Sequence, residues 1–276
     1  MNKKRYLLAI VTMPLILTGC AADKTEIKLT PDEKGAEPGT EVTISIVYDN
    51  NEYDNRLTTA WGFSCVVKLP QKTILFDTGG DGITLLSNMA KLGIKHGEID
   101  AVVLSHIHGD HTGGLDKFLR QNSQVTVYMP LSFPQRMKRN VESCGANVTE
   151  VHEPQELLEG VFTTGELDGG VREQSLLVRT SRGLVVITGC AHPGGVNIVK
   201  RAKEVPGDKI YLVIGGFHLL GASPSQLSHI AKSLGTLGVE KVAPCHCSGD
   251  DAKKLFKDYF GENYIDCGVG KEIIIR

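Results

Sequence analysis

The stretch Ser105 to Gly114, SHIHGDHTGG, constrains this chain more than any other. It places four potential metal ligands, His106, His108, Asp110 and His111, within six residues. The apolar run Ala101 to Leu104 before it reads as a buried strand, so the cluster starts at a strand end. In extended backbone, residues two apart point the same way, and His106 and His108 can converge on one ion. Gly109 permits a sharp turn, after which Asp110 and His111 can face a second ion at the start of the next helix. Neutral imidazole and carboxylate suit zinc, manganese or iron, and an ion with an open position lowers the pKa of its water to about 7. Buried polar groups need partners, and a cation supplies one here.

Three further apolar runs each deliver a histidine just past their end. Leu184 to Thr188 leads into Gly189-Cys190-Ala191-His192-Pro193-Gly194, Ile210 to Ile214 into Gly215-Gly216-Phe217-His218-Leu219, and Val242 to Pro244 into Cys245-His246-Cys247-Ser248-Gly249. Loops at strand ends are where α/β proteins build their pockets, so the repetition points to one composite site. His218 has two readings: it gives a proton to a leaving group or holds a substrate anion, or it is a hydrogen-bonded structural residue. Ser248 with Gly249 is a weak signal for binding a phosphate or carboxylate. His96, His152 and His229 lie in polar settings and are expected on the surface. The chain has no GxSxG elbow, P-loop or strand-linked dinucleotide fingerprint, which leaves metal chemistry as the strong signal.

The remaining pattern alternates short strands with helices. Thr43 to Tyr48, Phe63 to Leu69, Thr73 to Phe76, Gln124 to Tyr128, Leu176 to Thr180 and Glu272 to Ile275 complete the strands. Ile83 to Leu92, Gly114 to Arg120, Gly195 to Lys203, Pro224 to Leu237 and Ala252 to Phe260 read as helices, with Ser223 as N-cap and Pro224 at the first helical position. No repeat or linker follows residue 40, so residues 41–276 are expected to form one mixed α/β domain, large enough to bury a core without disulfide or metal. With 30 basic against 32 acidic side chains, the chain lacks the positive excess of a dedicated nucleic-acid binder.

The amino terminus reads as targeting. Lys3, Lys4 and Arg5 precede a mostly apolar run, Tyr6 to Leu17, too short to span a bilayer as a mature helix. The Leu17-Thr18-Gly19-Cys20 ending resembles a bacterial lipobox. That resemblance implies removal of residues 1–19, a lipid on Cys20, and a mature protein held on a membrane outside the cytoplasm without spanning it. Residues 20–40, polar and Pro/Gly-bearing, read as a tether. Six other cysteines remain, an even number that could form bridges in an oxidising space. No pairing is assigned: Cys245 and Cys247 are too close for an easy bridge, and Cys65, Cys144 and Cys267 read as small buried hydrophobes.

The HxHxDH run resembles the signature of the metallo-β-lactamase superfamily. Phe76-Asp77-Thr78-Gly79-Gly80 resembles its first motif, where Asp77 would hydrogen-bond to a ligand imidazole, although the same residues also make a good Asx turn. The GCAHPG, GGFHL and HCSG segments are most similar to the branch of dihydropterin-methyl-ribofuranosylaminobenzene phosphate synthases, over residues 43 to 275. The resemblance implies a four-layer αββα sandwich. His106, His108 and His192 would hold one metal, and Asp110, His111 and His246 the other. Cys190 stands where an Asp often bridges the ions, and the sequence leaves open whether Cys190 or His192 completes the set.

The function expected is that of a metal-dependent hydrolase of small molecules. A hydroxide held between two divalent ions, zinc first with manganese or iron as alternatives, would attack an ester, lactone or phosphoester, with Asp110 and His218 as catalytic residues. The preference for hydrolysis over pterin-type synthesis rests on the extracytoplasmic location. A redox di-iron site and a non-catalytic metal- or ligand-binding lipoprotein are the rival readings.

Overall fold

A computed structural model describes residues 41–276. The basic start, the Leu17 to Cys20 ending and the polar stretch to residue 40 lie outside the described residues. Among the described residues, no helix is long and apolar enough to cross a membrane.

Two mixed sheets form the centre. The first contains β1 (Val42–Asp49), β2 (Phe63–Lys68), β3 (Thr73–Phe76), β4 (Ala101–Val103), β5 (Thr126–Pro130) and β6 (Asn147–Val151). The second contains β7 (Gln155–Leu158), β8 (Val161–Thr163), β9 (Leu176–Thr180), β10 (Gly183–Thr188), β11 (Ile210–Gly216) and β12 (Lys241–Cys245), and the last strand, β13 (Glu272–Ile275), returns to the first sheet beside β1. The spatial orders are β13-β1-β2-β3-β4-β5-β6 and β12-β11-β10-β9-β8-β7.

Side-chain alternation decides how these sheets stack. Ile44, Phe63, Cys65, Ile74 and Phe76 of the first sheet meet Val178, Val185, Ile187, Leu212 and Ile214 of the second in one shared core. The opposite face of the first sheet, with Val66, Leu75 and Val102, is covered by α1 (Gly82–Lys91), by α3 (Leu115–Leu119), which follows the single-turn α2 (Gly109–Thr112), and by α4 (Gln135–Ser143). Leu184, Val186 and Val213 on the far face of the second sheet are covered by α5 (Gly195–Glu204), α6 (Pro224–Thr236) and α7 (Asp250–Phe260). The result is an αββα sandwich. Each large side chain sealed between layers contributes roughly 1.5–3 kcal/mol, and strands buried on both faces explain the near-continuous apolar runs in the sequence.

Two regions hold elements beyond those expected. The helix expected over Gly114 to Arg120 is α3, and the single-turn α2 precedes it, separated from it by Gly113 and Gly114. Those two glycines pack against the loop after β3, where a Cβ on Gly113 would overlap the Gly80 carbonyl and one on Gly114 the Thr78 carbonyl. The region between Tyr128 and Leu176 also contains β6, β7, β8 and α4, which the sequence reading passed over. α4 reads QRMKRNVES and buries little beyond Val141 and Lys138, while β7 is a half-exposed edge, so neither shows a clear apolar period.

Strand direction positions the site. β3 and β4 are parallel in the first sheet, and β10, β11 and β12 are parallel in the second. Pockets of α/β sheets lie beyond such carboxyl ends. β1 is antiparallel to β2, which is antiparallel to β3, so the end of β1 at Asp49 shares that edge. Glu173 precedes β9, which runs antiparallel to β10, and so lies beside the end of β10.

Candidate metal centre

The backbone at this edge is held in uncommon conformations. The non-glycine residues with positive φ among those described are Asp77, Ala191, His218 and His246, at φ of 55°, 61°, 51° and 48°. Each lies just past a strand end, and each such conformation costs of order 1–3 kcal/mol unless its surroundings enforce it. Here they aim side chains from both sheets into one cluster.

Imidazole nitrogens face one another across that cluster. His106 Nε2 lies 3.1 Å from His108 Nδ1, and His111 Nε2 lies 3.3 Å from His246 Nε2. Asp110 Oδ2 is 3.4 Å from His246 Nε2 and 3.7 Å from His111 Nε2, and Cys190 Sγ is 3.2 Å from His111 Nε2. His192 offers a nitrogen within 4.8 Å of those of His106 and His108. The other nitrogen of four rings has a partner: His106 Nδ1 lies 2.8 Å from Ser105 Oγ, His111 Nδ1 2.7 Å from Asp77 Oδ2, His192 Nδ1 2.9 Å from Glu173 Oε2 and His246 Nδ1 2.8 Å from Asn50 Oδ1. Ser105 Oγ already donates to Asp77 Oδ2, so it accepts from His106. In these four rings Nδ1 therefore carries a proton and Nε2 turns toward the cluster, whereas His108 faces it through Nδ1; burial lowers the His246 ring, but its hydrogen bond with Asp110 outweighs that and raises it.

Ring nitrogens and a carboxylate at this spacing are held together by a shared proton or by a cation between them. Donors on a tetrahedral ion with bonds of about 2.1 Å lie roughly 3.4 Å apart, close to the spacings seen. Burial first, then the like charge of neighbouring rings, holds His106 and His111 down at about 3, so both are neutral at pH 7. The residues present thus fit one cation among His106, His108 and His192 and another among Asp110, His111 and His246, with Cys190 against His111.

Two buried carboxylates support the rings. Asp77 accepts from the Ser105 backbone N–H, the Ser105 hydroxyl and His111 Nδ1. Burial lifts it to about 7, against the pull of His106 and those hydrogen bonds. Glu173 accepts from the backbone N–H groups of Gly189, Cys190 and Ala191 at Oε1, and from the backbone and ring of His192 at Oε2. Burial pushes this carboxyl up too, but the His192 hydrogen bond, the His106 charge and the backbone donors outweigh it and hold Glu173 at about 2. Asp49, also buried, accepts from the His246 and Asn51 backbone N–H groups and anchors the turn that carries His246.

Every metal-ligand candidate named from the sequence, including both Cys190 and His192, lies in this cluster, and Asp77 takes the hydrogen-bonding place beside it. Ser248 does not serve a ligand: it is buried, donates to the Cys245 carbonyl and accepts from the Phe217 backbone. His218 is exposed, with its ring 4.5 Å from that of His192. His152 and His229 are exposed, whereas His96, expected on the surface, is half-buried. Cys65 and Cys267 are buried and Cys144 half-buried, and all six described cysteines are free thiols. Glu173, Ser105, Asn50 and Asp49 were missed. Glu173 sits in the polar run DGGVREQS, and its only sequence cue is a carboxylate just before a buried strand. Trp61, Ile107 and Leu220 are exposed near the cluster, Trp61 with its ring 5.0 Å from His246.

Residues 62–246 match the model of the metallo-beta-lactamase superfamily. The chain is 30% identical to a 7,8-dihydropterin-6-methyl-4-(beta-D-ribofuranosyl)-aminobenzene-5'-phosphate synthase of Methanocaldococcus jannaschii, over 83% of this chain and 95% of the relative. The solved structure of Tm1679, a metal-dependent hydrolase of the beta-lactamase superfamily, superposes with a TM-score of 0.72 at 31% identity, covering 84% of this chain and 98% of the other. Human tRNase Z, short form, shares the fold at a TM-score of 0.56 and 16% identity, over 84% and 98% of the two chains. The chain belongs to the metallo-β-lactamase superfamily.

Proposed function

We propose that this chain is a membrane-anchored, metal-dependent hydrolase of a small-molecule ester, lactone or phosphoester. The observation that carries the proposal is the meeting of inward-facing imidazole nitrogens beside Asp110, in a cluster that reaches solvent at His108 and His218. A pair of divalent cations there, zinc first with manganese or iron as alternatives, would supply Lewis acidity and ionise water near neutral pH. His106, His108 and His192 would hold one, and Asp110, His111 and His246 the other.

The protein's own part is to position. Ser105, Asp77, Glu173 and Asn50 hold the Nδ1 protons of His106, His111, His192 and His246, which turns the Nε2 of each ring toward a cation. Burial raises the Asp110 carboxyl, but the hydrogen bond with His246 and the charge of His111 outweigh it and keep it well below the usual carboxylate range. Asp110 therefore stays ionised and can orient an attacking water as a hydrogen-bond acceptor. Trp61, Ile107 and Leu220 offer apolar surface to an acyl, alkyl or aryl part of the substrate. The 31% identity with a metal-dependent hydrolase supports the reaction class.

A substrate panel on the metal-loaded protein, with His108→Ala/His111→Ala as control, tests this. The expected result is turnover of one ester, lactone or phosphoester class, lost in the double variant while the domain stays folded. Turnover that survives the double change places catalysis elsewhere. The 30% identity with a synthase favours transfer as a second reading, and turnover that requires a second organic substrate would select it. Anchoring rests on the Leu17 to Cys20 ending: full-length protein should enter a detergent phase and Cys20→Ala should not.

A further inference from the structure

Cys190, Cys247 and His218 form a donor group that overlaps the two cation positions only at the Cys190 sulfur. Their ligand atoms all lie within 4.8 Å of one another, with the two sulfurs 3.3 Å apart. We propose that Cys190 Sγ, Cys247 Sγ and a His218 ring nitrogen form a third site, for one thiophilic cation of the zinc class, at the mouth beside His192.

Three observations support the assignment. A disulfide needs sulfurs about 2.05 Å apart, so this pair would have to close by more than 1 Å. Two sulfurs on a tetrahedral ion with bonds of about 2.3 Å lie roughly 3.8 Å apart, so holding a cation asks for a smaller movement, outward. Room for the sulfur is built into the neighbouring strand end: a Cβ on Gly216 would lie 2.7 Å from Cys247 Sγ and 3.1 Å from Cys190 Cα. The backbone of His218 is held at φ 51°, and neither of the first two cation positions uses its ring. The positive φ of Asp77 and His246 already has a reason, since both serve those positions, and a ligand role gives His218 one as well.

The donors define the chemistry of the guest. Two thiolates and an imidazole select zinc-like or softer ions over magnesium, calcium or manganese. Both sulfurs are buried, while His218 is exposed, so the cation would arrive from the His218 side. A ring that holds a cation cannot also give a proton to a leaving group, which removes His218 from the acid role its place at the mouth suggested.

The test uses the full-length chain loaded with Cd²⁺ as a spectroscopic probe, and it does not read turnover. Wild type is expected to show a thiolate-to-cadmium charge-transfer band and to hold one more cadmium per chain than Cys247→Ser, which should lose most of the band. His218→Ala should weaken that cadmium by at least about 10-fold. X-ray absorption at the zinc edge of wild type loaded with Zn²⁺ keeps the test open if Cys247→Ser does not fold: sulfur scatterers near 2.3 Å are expected. Equal cadmium content and band in wild type and Cys247→Ser, a zinc shell without sulfur, or a native mass 2 Da low from a Cys190–Cys247 disulfide would each overturn the proposal. A protein that binds this cation and hydrolyses nothing would contradict the hydrolase proposal alone.

Discussion

Asp77 and Glu173 occupy matching places behind the cluster, one at the end of β3 in the first sheet and the other just before β9 in the second. Both are almost fully buried, and both accept from a histidine ring. Yet Asp77 is lifted to about 7 while Glu173 is held at about 2. Burial is shared, so it cannot explain the difference; the donors do. One backbone N–H reaches Asp77, whereas four reach Glu173. A carboxylate that also serves as the hydrogen-bond hub of a loop remains charged in the interior, and one that mainly orients a hydroxyl and a ring sits near its titration point.

The largest effect that separates the two is on folding. Glu173→Ala would leave four buried backbone N–H groups around Gly189 to His192 without their acceptor, and a loss of about 3–5 kcal/mol is expected from urea unfolding of the metal-free protein. A loss under 1 kcal/mol would show that the loop finds other partners. Asp77→Asn should instead act mainly on the cation, weakening affinity at the His111 position by about 10- to 100-fold while the protein stays folded, as metal titration would show.

The smallest effect is in pH dependence. The folded pKa of Asp77 lies above its ordinary value of 3.8, so its contribution is fully present below that value and is lost as pH rises through about 7. Glu173 has the opposite sign: its contribution is present above its ordinary value of 4.5 and is lost as pH falls toward about 2. In metal-free protein, the stability deficit of Asp77→Asn should therefore grow as pH falls from about 7 to 4, and that of Glu173→Gln should grow as pH rises from about 2 to 5. Parallel slopes would mean that the two carboxylates share one environment.

Asp77 was visible through the likeness of Phe76 to Gly80 to the superfamily's first motif, and His106, His108, His192 and His246 because each follows a buried run. The mixed α/β pattern was visible for the same reason, since strands buried on both faces are written as apolar runs, whereas the αββα sandwich followed from the resemblance to the metallo-β-lactamase superfamily. Glu173 was hidden because its partners are backbone N–H groups, which no side-chain pattern records. Asn50 and Asp49 were hidden because they reach His246 across almost the whole chain, through the return of β12 to the edge where β1 ends. α4 and the edge strand β7 bury too little to print a period.

Under the proposed function, two cations are expected in the space between these imidazoles. Anomalous diffraction from a crystal grown with Zn²⁺ or Mn²⁺ tests it most directly. Peaks are expected about 2.0–2.3 Å from His106, His108 and His192, and from Asp110, His111 and His246. Ions found only on the outer surface, with the imidazoles still facing one another around water, would contradict it.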